Sequence, residues 1–286
     1  MHHVFRSFTV YLVIFFTCYI NIYLAVPFNG VGVRLAKEKE FSFIVSIQTK
    51  IGIGPNSLRH MCNGALISKR HVITAEHCLS DIKYLRSYRI LMGSSDLQAC
   101  KKYLIKSWIT YDQWAESKRY HIEFARNDIA VVTLSEKVND APVKPATISI
   151  KKNEHLFGLS FQTAGWSESH GGQVGRFMQV ANLNILNARK CIEIFKRLTG
   201  LIPSIFTAYL CTRTEPSIIL SCGDSGGPVF YKDYFNNYKI VGINSGLCAE
   251  NMAPDPLNIH VSIEYYRNFI NDVMVTDKHK KCWPFC

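Results

Sequence analysis

The chain has 286 residues, 48% of them hydrophobic, with 33 Lys+Arg against 22 Asp+Glu and ten cysteines. That apolar content excludes wholesale disorder, the 19% of charged residues follow no heptad, and no repeat of about 20–50 residues marks a solenoid or propeller. The net charge of +11 would suit a polyanion, a membrane surface or an acidic substrate, and suits ordinary solubility equally well, which is the plainer reading.

Residues 1–25 form an apolar run after a short basic start and read as a secretory signal peptide ending near Tyr23-Leu24-Ala25. An uncleaved signal-anchor is the alternative, although Asn21 and three tyrosines interrupt the run. The cysteine count also favours an oxidising compartment. Removing the leader takes Cys18 with it and leaves an odd number of cysteines.

From Phe41 onward, short runs rich in Val, Ile, Phe and Thr alternate with turn residues, the pattern of an all-β sandwich or barrel. The predicted strands include Phe43–Gln48, Arg70–Ala75, Ile129–Leu134, Leu159–Ala164, Gln179–Leu186 and Lys239–Ser245. Two helices are expected. Asn187 caps Ala188–Thr199 with Gly200 as its stop, and Ser262 caps a last helix in which Ile263, Tyr266, Phe269, Ile270 and Val273 share a face. Residues 276–286 read as a basic, Cys-containing tail.

Three segments carry chemistry. Ser221-Cys222-Gly223-Asp224-Ser225-Gly226-Gly227-Pro228 surrounds a serine with residues small enough to expose its hydroxyl and to aim backbone N–H groups at an oxyanion. Val72-Ile73-Thr74-Ala75-Glu76-His77-Cys78 is an apolar strand ending in a histidine, and Asn127-Asp128-Ile129-Ala130 puts an aspartate at the head of another. Aspartate, histidine and serine are the types needed for a relay in which a carboxylate orients an imidazole that deprotonates a hydroxyl.

With those segments in the order His, Asp, Ser, the chain resembles the trypsin/chymotrypsin-type serine proteases over roughly residues 30–275. GDSGGP matches at all six positions, TAEHC stands for the family's TAAHC, Cys62-Asn63-Gly64-Ala65-Leu66-Ile67 for CGGSLI, and Gly165-Trp166 for its GW turn. The resemblance implies two six-stranded antiparallel β-barrels of the chymotrypsin type with a C-terminal helix. It divides the chain into a signal peptide (1–25), a short leader (26–29), the protease domain (30–275) and the tail. It also implies His77 as general base, Asp128 as its orienter, Ser225 as nucleophile, and the N–H groups of Gly223 and Ser225 as oxyanion donors. Ser245 matches the serine that supports the aspartate and lies beside the pocket. Disulfides Cys62–Cys78, Cys191–Cys211 and Cys222–Cys248 follow from the same resemblance, as does the replacement of a fourth by Phe161 and Tyr231. Cys100, Cys282 and Cys286 are left over: Cys100 is expected to pair with one tail cysteine, and the remaining thiol is free or joins another chain.

Two regions depart from the family. Gly30-Val31-Gly32-Val33, preceded by Asn29, stands where members carry the Ile-Val-Gly-Gly start released by cleavage after a basic residue, so Asp224, the expected partner of the new amino terminus, needs one made by another enzyme or goes without it in a zymogen-like loop. In the specificity pocket the floor is Leu220 or Ile219, Ser245-Gly246-Leu247 lacks the usual Trp, and Leu257 replaces a wall glycine. An apolar or small P1 residue is expected. The resulting expectation is a secreted serine endopeptidase working through an acyl-enzyme on protein or peptide substrates, subject to a protein inhibitor. The alternative is a catalytically impaired homologue that binds or regulates. No cofactor, metal, nucleic acid or lasting membrane anchor is expected: His60, His71, His121, His155, His170, His260 and His279 read as surface or packing residues without zinc-ligand spacing, and Lys101, Lys102, Lys106, Lys118 and Arg119 are scattered.

Overall fold

The computed structural model describes residues 32–52, 57–80, 85–122, 127–167, 173–200, 207–213, 218, 220, 223–248 and 257–279. The leader, Ile219, Cys222 and the tail cysteines lie outside them. The strands in chain order are β1 (Arg34–Leu35), β2 (Ile44–Lys50), β3 (Leu58–Leu66), β4 (His71–Thr74) and β5 (Tyr88–Met92). Then follow β6 (Lys101–Tyr103), β7 (Ile105–Thr110), β8 (Ala130–Leu134), β9 (Thr147–Ile148) and β10 (Phe161–Gly165). The last are β11 (Gln179–Leu183), β12 (Tyr209–Thr212), β13 (Pro228–Lys232), β14 (Tyr238–Cys248) and β15 (Leu257–Ser262). Among the described residues, three α-helices interrupt them: α1 (Tyr111–Ser117), α2 (Ala188–Thr199) and α3 (Ile263–His279).

The strands form two curled sheets, as expected for a chymotrypsin-like fold. The first runs β6-β5-β2-β3-β4-β8-β7, and the second β1-β11-β10-β13-β14-β15-β12 with β9 added parallel to β14. All other pairings are antiparallel. The expectation was six strands in each sheet. The described residues hold seven and eight, because three-residue β6 joins one edge and two-residue β1 and β9 join the other sheet.

An aromatic seam joins the sheets. Phe43, next to β2, stacks edge-on against Phe230 of β13 at 5.2 Å between centroids, and Phe41 and Tyr238 complete the group. Phe43 and Phe230 are fully buried, and each such side chain stabilises the fold by about 1.5–3 kcal/mol relative to exposure.

The helices follow their caps. The Asn187 side chain accepts the N–H of Lys190 at 2.9 Å, and Gly200 closes α2 at φ +72°, a left-handed position that glycine takes without steric penalty. The α3 face of Ile263, Tyr266, Phe269 and Ile270 is buried, and α3 runs to His279, into the stretch expected as tail. Helix α1 was not expected. A Thr110–Gln113 capping box starts it, and Tyr111 and Trp114 pack their rings on Tyr266 and Phe269 of α3. Among the described residues, no helix is long and apolar enough to cross a membrane.

Candidate active site

His77 lies on a single helical turn (Glu76–Cys78) directly after β4. The Cys62–Cys78 disulfide, with Cα atoms 6.0 Å apart, ties that turn to β3. Asp128 precedes β8, and β8 pairs with β4 so that Thr74 faces Ala130, a register that carries His77 and Asp128 to the same end of the sheet. Asn127, next to the aspartate, donates to Asp112 of α1 at 2.6 Å and accepts the Tyr266 hydroxyl of α3 at 2.8 Å. Both helices therefore steady the aspartate's backbone.

The His77 ring stands with Nδ1 at 3.0 and 2.9 Å from the two carboxylate oxygens of Asp128, whose Oδ1 also accepts the His77 backbone N–H at 2.9 Å. A carboxylate accepts only, so Nδ1 carries the proton and Nε2 is left as the basic nitrogen. The Ser245 hydroxyl donates to the second carboxylate oxygen. Ser245 sits where the β14–β15 register shifts, and a bulge of that kind re-aims a side chain. Burial alone would raise the Asp128 pKa, but the hydrogen bond and charge of His77 and the Ser245 hydroxyl outweigh it and hold it below the ordinary carboxylate value.

Ser225 is half-buried at the head of the turn leading into β13. The turn is held from both sheets. Asn63 of β3 donates its backbone N–H to Ser225 O at 2.8 Å and its side-chain amide to Gly223 O at 2.7 Å. The same Asn63 side chain accepts the N–H of Trp166 at 3.1 Å. His60 Nε2 donates to Gly223 O at 3.1 Å, its Nδ1 accepting from Ser46 at 2.8 Å. Gly223 and Gly226 have positive φ, +90° and +74°. A Cβ on Gly226 would collide with Thr74 and with the Asn63 backbone. Asp224 is buried and accepts the Ser167 hydroxyl.

The remaining expected positions fall as follows. Leu220 is buried with Ile218 and Ala181, and its N–H is bound by the Asn258 side chain at 3.1 Å. Gly246 is exposed. Leu257 packs with Cys191, Ile194 and Cys211 beneath α2, and its strand neighbour Asn258 donates to Ile218 O in the segment ahead of the Ser225 loop. Disulfides Cys62–Cys78 and Cys191–Cys211 are present, whereas Cys222–Cys248 and both tail cysteines fall outside the described side chains. Cys100 makes no disulfide: it is a free, buried thiol donating to Ser94 O and Asp96 O at 3.4 and 3.6 Å, and burial pushes its pKa up to about 11. Phe161 and Tyr231 meet edge-to-face, 6.0 Å between centroids. A Cys62–His77–Cys78 grouping has metal-ligand dimensions, but its sulfurs are already joined to each other. A cleft of about 580 Å³ lined by Lys152, Phe157, Leu186, Tyr209, Glu264 and Tyr265 also takes in the Cys191–Cys211 disulfide, and His77, Asp128 and Ser225 are not among its lining residues.

His60 and Asn63 were not singled out from sequence, although Asn63 occupies a position where the family motif has glycine, which was a usable signal. His60, His71 and His260 prove to be buried polar residues.

Residues 31–270 match the family model described as Trypsin. Melanization protease 1 of Drosophila melanogaster is 26% identical over 274 residues, covering 85% of this chain and 64% of the relative. Serine proteinase stubble of the same organism is 29% identical over 231 residues, 78% of this chain and 29% of the relative. Human Granzyme M is 25% identical over 199 residues, 68% of this chain and 73% of the relative. The chain thus spans less than two thirds of the length of the two Drosophila relatives. With the family match extending across most of the chain and over both sheets, this protein belongs to the trypsin family.

Proposed function

We propose that the chain is a secreted serine endopeptidase in which Ser225, His77 and Asp128 act as nucleophile, general base and orienting carboxylate. What carries this is the bond between His77 Nδ1 and Asp128: it fixes the tautomer that leaves Nε2 able to accept a proton. Ser225 Oγ attacks the scissile carbonyl carbon as its proton passes to Nε2, and the oxyanion is stabilised by the N–H groups of Gly223 and Ser225. The imidazolium then protonates the leaving amine, and water releases the acyl group from Ser225 by the reverse proton path. Asp224 is the acceptor for an amino terminus freed near residues 30–31, alongside Ser167. With Leu220 or Ile219 at the floor, no carboxylate is available to bind Arg or Lys, so small or apolar P1 residues are favoured.

A homologue that binds or regulates without turnover is the second reading, favoured by Asn29 at the activation position. Labelling with a fluorophosphonate before and after limited proteolysis separates the two. An adduct on Ser225, lost in Ser225→Ala, is the expected result, and no adduct under either condition removes the enzymatic function.

A further inference from the structure

A buried line of polar side chains connects the two flanks of the Ser225 turn through the second sheet. Its hydrogen-bond directions can be assigned from the ends inward. Asn244 Nδ2 donates to Asp224 O and to Thr163 Oγ1, both at 3.1 Å, which leaves Asn244 Oδ1 as the acceptor facing His260 Nδ1 at 2.9 Å. That ring nitrogen therefore carries the proton. Nε2 of His260 is then an acceptor and takes the Thr212 hydroxyl at 2.8 Å. Thr212 in turn accepts from Asn258 Nδ2 at 3.5 Å. The same amide donates to Ile218 O at 2.9 Å, while its oxygen accepts the Leu220 N–H at 3.1 Å. Thr212, Asn244, Asn258 and His260 are each no more than 3% exposed. Buried polar groups are costly unless bonded, and here each is bonded in one consistent direction.

The upstream end holds the segment before the nucleophile, and the downstream end holds Asp224 O. In a planar trans peptide unit, the carbonyl of Asp224 and the N–H of Ser225 point to opposite sides. Fixing the one aims the other. We propose that the Asn258–Thr212–His260–Asn244 line is a positioning relay, in which His260 orients Asn244 so that the Ser225 N–H is pre-aimed as an oxyanion donor. This rests on Ser225 being the nucleophile. Burial keeps His260 neutral, with its pKa pushed down to about 3, so the relay keeps its direction over the working range of pH.

The test compares wild type with His260→Phe, His260→Gln and Thr212→Val, using a small apolar-P1 peptide ester at a temperature where each remains folded. Oxyanion stabilisation is made only in the transition state. The relay therefore predicts that kcat falls by about tenfold to hundredfold in His260→Phe with KM little changed, and that Gln, which can both donate and accept, restores most of it. Unchanged kcat in His260→Phe, or a fall in which KM rises in parallel, overturns it. If the Phe variant does not fold, nitrogen-15 NMR of the wild-type imidazole reads the same assignment. A neutral ring protonated on Nδ1 supports the relay, and one protonated on Nε2 overturns it. If wild type fails to react with a fluorophosphonate, the nucleophile assignment fails by itself. The Ser225 amide resonance still reports on the relay, shifting in Thr212→Val if it is right and staying put if it is wrong.

Discussion

The backbone N–H of His77 and its ring Nδ1 both end on the Asp128 carboxylate, each at 2.9 Å. With the Ser245 hydroxyl donating as well, three donors converge on one acidic group. A neutral amide cannot receive them all.

Asp128→Asn should therefore leave the fold in place while turning the His77 ring to the wrong tautomer, slowing fluorophosphonate acylation of Ser225 by about four orders of magnitude. The substitution also has a pH signature. The Asp128 pKa is lowered on folding, so its contribution to stability is present above the unfolded value of about 3.9 and is lost as pH falls through the lower folded value. Denaturant melts of wild type should show that acid limb, and melts of the Asn variant should show a weaker one.

Gly226→Ala should be poorly tolerated. The residue has φ +74° and no room for a Cβ beside Thr74 and Asn63. Left-handed backbone with a side chain and a steric clash together cost on the order of 1–3 kcal/mol or more, and the turn must shift to relieve them. Circular dichroism melts should show the loss, and Ser225 labelling should drop below a tenth of wild type. Normal labelling would mean that the turn relaxes harmlessly.

His260 gives a second pH prediction, of distinct origin. Burial lowers its folded pKa to about 3, while the unfolded residue titrates near 6.5. Between these values the unfolded chain takes up a proton that the folded one refuses. Stability is thus complete above about pH 6.5 and declines toward pH 3 by up to about 1.4 kcal/mol per unit. The difference between wild-type and His260→Gln stability should narrow across that window. Parallel curves would show that the ring protonates in place.

Phe161→Ala should cost about 3–5 kcal/mol, because the ring is buried among Leu156, Leu183 and Val229 as well as against Tyr231. A double-mutant cycle with Tyr231→Leu should return about 0.5–1.5 kcal/mol of coupling for the edge-to-face pair. Zero coupling would assign the packing to the aliphatic neighbours alone.

The helices at 188–199 and 263–279 were readable from their caps, a local signal. Asn244 meets His260 only through the register of β14 with β15, and His60 meets Ser46 only through that of β3 with β2. Side chains alternate faces along a strand, so a shift of one position exchanges partners. Leu257 and Asn258 show it: the leucine expected at the pocket packs under α2, and the asparagine beside it reaches Ile218 and Leu220. Helix α1 escaped notice because seven residues give too little periodicity, although Thr110 and Gln113 already spelled its start.

Asn63 belongs to the first sheet, yet it holds Gly223, Ser225 and Trp166 of the second. With His60, which also reaches Gly223 O, this asparagine ties the two halves together beside His77, Asp128 and Ser225. A small slip along that joint would leave both sheets intact and every melt cooperative, while shifting Ser225 relative to His77. Inactivity in such a protein would be a fault of alignment, visible to a fluorophosphonate and invisible to circular dichroism.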